Sequence, residues 1–248
     1  MTQLSSCFPQ GLSGENMKRV ESSKDLGLYF DSDGSFSTHI TAKVKKSRQL
    51  CGYIFRTFVS RQATPLVYFF KTVVLPVLEY CCVVWHPFKL NEIREIEGVQ
   101  RDFTSRLLGM KDCDYWDRLK LLNIFSLERR RESYIILYTF KIIFGLVPNP
   151  GISWIESPRR GRMIQAPLLN YRHRYGQTLK FNSFFCTSAR LFNCLPSVIR
   201  NMTCKMEQIK VNLDNLLRKI PDEPRLSGYT GCSRSPTNSI QDQILFIQ

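Results

Sequence analysis

Two pairs of aspartates lie close enough in the sequence to be considered as ligands of a catalytic metal ion. Asp31 and Asp33 are separated by one residue, and Asp112 and Asp114 flank a cysteine. Nucleotidyl transfer with two metal ions needs at least one pair of carboxylates that the fold brings together. However, Asp31 and Asp33 belong to an Asp-Ser-Asp-Gly turn sequence that lacks the rest of a calcium-loop pattern, and Asp114 precedes a predicted helix. The sequence therefore favours turns and helix caps over metal ligands at both places.

The nine cysteines and three histidines form no pattern of metal ligands or disulfides. The cysteine count is odd, several cysteines lie in apolar stretches, and no two are spaced as Cys-x-x-Cys. The chain also lacks a P-loop, a Gly-x-Gly-x-x-Gly and a Gly-x-Ser-x-Gly motif. We therefore predict reduced thiols, no metal site, no cofactor, and a location inside the cell, in the nucleus or the cytoplasm.

Lysine and arginine dominate one predicted helix. Residues 37–61 contain no aspartate or glutamate, while the formal net charge of the whole chain is +14. A solvated helix face normally mixes charges of both signs, and an all-positive face is easiest to explain if a phosphate backbone lies beside it. A generally basic, solvated surface is the alternative. The candidate nucleic-acid-binding residues here are Lys43, Lys45, Lys46, Arg48, Arg56 and Arg61.

A second basic stretch follows a linker of weak pattern. Residues 158–180 contain no acidic residue, and Tyr171 and Tyr175 stand among the arginines. Arginine with aromatic side chains can hold phosphates and stack on bases. A solvated loop whose tyrosines pack on a helical bundle fits equally well. The candidate binding residues of this stretch are Arg159, Arg160, Arg162, Arg172 and Arg174.

Hydrophobic periodicity predicts a mainly α fold, in which a helical bundle is preceded by a short β-hairpin and followed by a smaller helical block. Residues 17–30 read as the hairpin, with Leu26, Leu28 and Phe30 alternating along a strand. Pro76 should kink or break a long apolar helix. The predicted helices cover residues 37–59, 65–76, 77–85, 90–108, 114–122, 127–144, 181–196 and 202–220.

The sequence predicts no membrane partner. Residues 65–85 form the most apolar stretch, but Lys71, Pro76 and Glu79 lie within it, and burying those charges in lipid would be costly. Residues 1–14 lack the basic start and apolar run of a signal peptide. We therefore expect a core helix pair at residues 65–85.

Short motifs occur in an ordered series along the chain. They are Lys24-Asp25-Leu26-Gly27-Leu28, Phe36-x-x-His39-Ile40, Leu78-Glu79-Tyr80, Val84-Trp85, Val99-Gln100-Arg101-Asp102-Phe103-Thr104 and Leu127-Glu128-x-Arg130-Arg131. In this order they resemble the segment that follows the catalytic core in reverse transcriptases of LINE-type (jockey-like, non-LTR) retrotransposons. Phe192-Asn193-Cys194-Leu195-Pro196 is similar to the family's terminal motif, with phenylalanine where tryptophan usually stands.

The resemblance implies how the chain is organised. Residues 1–36 would be a β-hairpin remnant of the palm, and residues 37–147 a thumb-like helical bundle. Residues 148–220 would hold a basic linker and a C-terminal helical block, and residues 221–248 a loosely ordered tail.

The resemblance also implies roles for particular residues. Lys24, Leu26 and Gly27 stand where the family holds the primer end, and a glycine there lets another chain approach closely. Arg101 and Arg106 stand in the family's basic thumb helix, which lies along the template–primer duplex. Asp102 could pair with Arg106 four residues on and shorten its reach towards phosphate.

The family's catalytic signature, Tyr/Phe-x-Asp-Asp, is absent, and the chain contains no Asp-Asp pair. The resemblance therefore implies a catalytically incomplete fragment of an RNA-directed DNA polymerase, which is itself not an enzyme. The polymerase core would lie upstream in the parent protein. The fragment would retain sequence-independent binding to duplex or RNA–DNA hybrid. The alternatives are an all-α scaffold whose basic face meets an acidic protein partner, and a complete enzyme of unrecognised chemistry.

Overall fold

The chain forms two compact units, Met1–His39 and Ile40–Gln248, in the computed structural model. The residues described are 11–12, 15–16, 20–148, 155–157, 163–165, 178, 181–224 and 238–244. The fold is mainly helical with a short antiparallel hairpin towards the N-terminus, which confirms the predicted fold class. The predicted division at residue 147 falls inside the second compact unit, because helices on both sides of it share one hydrophobic core.

The N-terminal unit contains two small antiparallel pairs. Strand β1 (Gly11–Leu12) pairs with β2 (Glu15–Asn16), and β3 (Ser22–Asp25) pairs with β4 (Leu28–Asp31). The second pair closes through Leu26 and Gly27, whose φ angles are 46° and 83°. Two successive left-handed residues match the twist of a two-residue hairpin, and glycine adopts this conformation without strain. The predicted place of Leu26 within a strand is therefore wrong, because it lies in the turn with 82% of its surface exposed.

The turn after β4 prepares the start of the first long helix, α1 (Ser37–Thr57). Asp31 accepts hydrogen bonds from the Thr38 amide at 3.0 Å and the Ser35 hydroxyl at 3.3 Å. Asp33 accepts the Ser35 amide at 2.8 Å. Both carboxylates therefore serve the turn and the first free amides of the helix, as the turn prediction requires.

The apolar segment after α1 is one helix with an irregular middle. Helix α2 (Ala63–Phe69) leads through a π-helical turn (Phe70–Val74) into α3 (Leu75–Glu79). Pro76 lacks an amide and crowds the preceding turn, and the wider π turn accommodates it without breaking the helix. The predicted helix over residues 77–85 is wrong beyond Glu79, because Cys81 has a φ of 53° and residues 80–84 form turns.

Three helices follow with boundaries close to the prediction: α4 (Leu90–Ser105), α5 (Tyr115–Leu122) and α6 (Leu127–Ile143). Asp114 caps α5 by accepting the Trp116 amide at 2.9 Å, and Ser126 caps α6 by accepting the Arg129 amide at 3.2 Å. Gly145, with positive φ, follows the end of α6. Helix α4 ends at Ser105, so the predicted end at Gly109 is wrong by several residues.

The C-terminal part packs on α6. Strands β5 (Ile155–Ser157) and β6 (Met163–Gln165) pair, and α7 (Phe184–Cys194), α8 (Ser197–Arg200), α9 (Met206–Lys219) and α10 (Ile240–Ile244) follow. Their buried side chains form one core with Ile135, Ile136 and Phe140 of α6. Ile240 and Ile244, which lie in the predicted loose tail, belong to that core.

Candidate nucleic-acid interface

The basic residues of α1 do not share one face. Lys45, Lys46 and Arg56 are exposed on the side of the helix opposite its buried stripe. Lys43 and Arg48 instead lie on the two flanks of that stripe, each about 70° from its centre at 3.6 residues per turn. The prediction that these basic residues form one positive face of the helix is therefore corrected for Lys43 and Arg48.

The two flanking residues contact different neighbours. The Lys43 ammonium lies 5.7 Å from the centre of the Tyr80 ring, just beyond α3. Arg48 packs beside α4, where its Nη2 lies 3.5 Å from the position of a Cβ on Gly98. Arg48 and Lys45 also line a shallow depression that includes Glu95. Among the described residues, neither of these two cations forms an ion pair within 4.0 Å. Glu95 therefore lowers the local positive potential but does not form a salt bridge with either side chain.

Arg61 has a structural role that the sequence did not reveal. Its Nη1 donates to the carbonyl oxygens of Phe55 at 3.0 Å, in the last turn of α1, and of Phe58 at 3.1 Å, just after the helix ends. Its guanidinium also lies 4.7 Å from the centre of the Phe55 ring. Arg61 therefore adds positive charge to this end of α1, but its donors are already engaged.

Arg106 and Arg101 lie on aromatic rings at the C-terminal half of α4. Arg106 is exposed and lies 5.5 Å from the Phe55 ring, the same ring that Arg61 covers. Arg101 is half-buried and lies 4.8 Å from the Tyr115 ring. Asp102 and Arg106, which the sequence predicted to pair, form no ion pair within 4.0 Å among the described residues. Arg106 is therefore the better placed of the two arginines for contact with phosphate.

The remaining candidates divide between the hairpin and the second basic stretch. Lys24 is exposed, and its ammonium lies 5.3 Å from the Tyr29 ring on the neighbouring strand. Leu26 and Gly27 form the exposed hairpin tip. The arginines of the second basic stretch all lie outside the described residues: Arg159, Arg160, Arg162, Arg172 and Arg174.

Except for the exposed Lys141, the charged residues of α6 are buried or half-buried, and sequence reasoning missed their roles. Arg130 binds Glu79 through Nε at 2.5 Å and Nη2 at 3.0 Å, and the Tyr134 hydroxyl donates to the same carboxylate at 3.0 Å. The Trp85 indole donates to the Tyr80 carbonyl at 2.7 Å. The motif residues Glu79, Tyr80, Trp85 and Arg130 therefore hold the turn after α3. The run of charged residues at 128–132 does not by itself distinguish buried from exposed positions.

Glu97 of α4 reinforces the start of α6. It accepts the amides of Leu127 at 3.1 Å and Glu128 at 3.2 Å, and the Tyr115 hydroxyl donates to it as well. Carboxylates are stabilised at helix N-termini by the free amides and the helix dipole. Burial nevertheless raises the pKa of Glu97, because these hydrogen bonds and the nearby Arg131 offset only part of the desolvation.

Glu132 holds the last helix. Its carboxylate accepts the Ser239 hydroxyl and the Ile240 amide, each at 2.6 Å, at the N-terminus of α10. Burial raises the pKa of Glu132 to about 7, although both hydrogen bonds and Arg129 act in the opposite direction. Burial together with Glu132 raises the pKa of Glu128 well above its ordinary value. Burial therefore raises the pKa values of three carboxyl groups around α6 in the folded protein.

The raised pKa values predict a pH-dependent stability. The free energy of unfolding should fall as the pH rises from about 4.5 to about 7, because the unfolded chain releases the Glu132 proton before the folded protein does. At 1.36 kcal/mol per pKa unit, Glu132 accounts for at most about 3 kcal/mol of this loss. Urea unfolding at about pH 5 and about pH 8 measures the difference.

Glu132→Gln should reduce the difference between the two pH values, while Glu207→Gln, at an exposed position of α9, should leave it unchanged. An equal pH dependence in the wild type and in Glu132→Gln would contradict the role assigned to this carboxyl group.

An open groove of about 740 Å³ lies between the turn after α3, α6 and α9. Its walls include Tyr80, Tyr134 and Tyr138, with Lys141 and Lys210 also on the lining. Val83, Leu137 and Met206 supply apolar surface. The groove therefore combines aromatic rings with positive charge.

Comparison of the chain with protein-family models, curated proteins and solved structures gives no match. Within the described residues, no helix is both long and apolar enough to cross a membrane. The same residues contain no group of three or more histidine, cysteine, aspartate or glutamate side chains arranged to hold a metal ion. A functional assignment therefore depends on the order of the motifs and on the geometry of the basic surface.

Proposed function

We propose that this chain binds the backbone of a nucleic-acid duplex or RNA–DNA hybrid without regard to sequence. In this proposal it is the primer-grip, thumb and post-polymerase part of a LINE-type reverse transcriptase. The observation that carries the proposal is the outward face of α1, where Lys45, Lys46 and Arg56 are exposed in a helix that contains no acidic residue.

The outward face of α1 suits a run of phosphates. Lys45 and Arg56 are eleven residues apart, which is about 16 Å along the helix axis. That length corresponds to about five steps of one strand at 3.4 Å each. Arg56 lies 4.6 Å from the Tyr53 ring, which supports the guanidinium away from the helix. Among the described residues, none of these three cations has an ion-pair partner, so phosphate contact would break no existing pair.

The proposal assigns no polymerase chemistry to this chain. Asp31 and Asp33 already accept hydrogen bonds in a turn, and Asp114 caps a helix. A two-metal polymerase needs carboxylates brought together around the ions. In the proposal those carboxylates belong to the polymerase core of the parent protein.

Replacing Lys45, Lys46 and Arg56 together by glutamine should weaken binding to an RNA–DNA hybrid and flatten its salt dependence. Each lost phosphate contact reduces the slope of log K against log salt by about one, so we expect a decrease of about 2 to 3. Fluorescence anisotropy with a labelled hybrid of about 20 base pairs, over about 50 to about 300 mM salt, measures the slope.

The matched control removes the same charge from other exposed positions, with Lys71, Lys205 and Lys219 changed to glutamine. Its slope should change by less than one. Equal effects of both triple variants would mean that only net charge matters and would contradict the interface on α1. Binding to an acidic polypeptide but to no nucleic acid would favour the scaffold alternative instead.

A further inference from the structure

The groove beside α6 has the size and shape of a ligand site. Pockets for small ligands commonly enclose about 300 to 1,000 Å³, with mostly apolar walls and a few polar groups. This groove falls in that range, at about 740 Å³. It is lined by the turn after α3, by α6 and by the first turns of α9. A segment about as large as a nucleotide would fit there.

The tyrosines of the groove are held in place by neighbouring side chains. Tyr134 is fixed by Glu79 and Arg130 through hydrogen bonds of 3.0 and 3.1 Å. The Tyr138 ring packs edge-on against Phe184 at 5.6 Å between centres. Tyr80 is about half exposed and has the Lys43 ammonium over its ring. Rings fixed in this way lose little freedom when a planar ligand stacks on them.

The charges of the groove favour an anion. Lys141 and Lys210 are exposed on its lining, and Lys43 lies at its Tyr80 side. Glu79 is already neutralised by Arg130, which leaves Glu207 as the acidic side chain of the lining without an ion pair among the described residues. Aromatic walls with a surplus of lysine suit a ligand that joins a planar ring to a phosphate.

We propose that this groove binds an unpaired nucleotide of a single strand, with its base on Tyr80 or Tyr138 and its phosphate near Lys141 and Lys210. The inference rests on the proposed function and extends it from the duplex to the strand that leaves it. Lys46 and Lys43 are one turn apart on α1, so this flank of the helix leads towards Tyr80. The Lys43 side of α1, which the sequence analysis placed along the duplex, would therefore contact the single strand instead.

The test uses a labelled single-stranded oligouridylate of about ten nucleotides and the intact chain. Tyr80→Leu and Tyr138→Leu keep apolar volume but remove the ring. The variant that loses the stacking ring should bind about 5- to 100-fold more weakly, the range expected for one base stacked on one aromatic ring. Lys141→Gln with Lys210→Gln should weaken binding and lower the salt slope by about 1.5. Tyr68→Leu, at an exposed position of α2, is the control and should leave the affinity unchanged.

Photo-crosslinking with a thiouridine-substituted strand gives an independent readout of position. Cross-links should fall on the groove, at residues 80–83, 134–141 or 206–210. Unchanged affinity in both tyrosine variants, or cross-links confined to other residues, would overturn the proposal. The proposal would also be overturned if the groove variants bound an acidic polypeptide less well but bound oligouridylate as tightly as the wild type does.

Failure of this inference can be told apart from failure of the proposed function. Duplex binding that depends on Lys45, Lys46 and Arg56, together with oligouridylate binding that is insensitive to the groove variants, would remove the groove site alone. Absence of binding to both nucleic acids would remove both.

Discussion

Replacing Arg129 by methionine is expected to lower the free energy of unfolding by about 3 to 5 kcal/mol, the range for breaking a buried charge network. The Arg129 side chain is 0% exposed. Its guanidinium donates to the carbonyl oxygens of Leu217 at 2.9 Å, in the last turn of α9, and of Ile220 at 2.7 Å and Pro221 at 2.5 Å, just after it. Methionine would fill part of the volume but leave these buried acceptors without donors.

The same substitution would also leave an acidic group without its cation. Asp222 lies 3.4 Å from the Arg129 Nε, and it accepts hydrogen bonds from Ser126 and Asn238. One guanidinium therefore joins the start of α6, the end of α9 and the segment that precedes α10. Loss of this guanidinium should loosen three elements together.

Urea unfolding of Arg129→Met, followed by circular dichroism, measures the effect. Arg56→Met is the matched control, because Arg56 is exposed and its loss should change the free energy of unfolding by less than about 0.5 kcal/mol. Equal stabilities of the two variants would contradict the role assigned to Arg129.

Phe103→Ala is expected to cost about 3 to 5 kcal/mol of stability, the usual range for deleting a buried phenylalanine ring. Phe103 is 1% exposed, and its ring centre lies 4.9 Å from that of Phe55 and 4.6 Å from that of Phe70. The three rings join α4 to α1 and to the π turn after α2. Alanine would leave a cavity at the centre of this contact.

The variant Phe103→Leu distinguishes the cost of a cavity from the cost of replacing an aromatic ring with an aliphatic side chain. Leucine keeps most of the apolar volume, so its cost should stay below about 1.5 kcal/mol. A cost for the alanine variant as small as that of the leucine variant would mean that the site collapses around the missing ring, which would contradict a tightly packed contact.

Local signals in the sequence were sufficient for most element boundaries. Asp114 and Ser126 cap helices α5 and α6 as their side-chain chemistry predicts. Gly145 takes the positive φ that ends helix α6. These outcomes depend on residues within one or two turns of each other, so a single sequence contains the information.

The placement of Lys43 and Arg48 could also have been predicted. Counting 100° per residue from Ile40 and Val44 sets both residues on the flanks of the buried stripe. A division of α1 into one buried and one exposed face leaves out these positions on the flanks. The neighbours that they contact, Tyr80 and Gly98, depend on helix packing and could not be inferred from periodicity.

Long-range polar contacts escaped the sequence altogether. Glu132 accepts hydrogen bonds from Ser239 and Ile240, which lie more than 100 residues later in the sequence. Arg129 donates to carbonyl oxygens at the end of α9, about 90 residues later. No local pattern distinguishes a buried arginine from an exposed one on a helix that carries charges at successive positions. The order of residues 238–244 follows from these contacts, and so it was not foreseen.

Binding of the wild-type chain to a labelled RNA–DNA hybrid across a range of salt concentrations would show whether the chain holds a nucleic-acid backbone. We expect binding at about 50 mM salt, similar affinities for hybrids of unrelated sequence, and a linear fall of log K with log salt with a slope of at least about 3. No detectable binding at that salt concentration, or an affinity that does not change with salt, would contradict it.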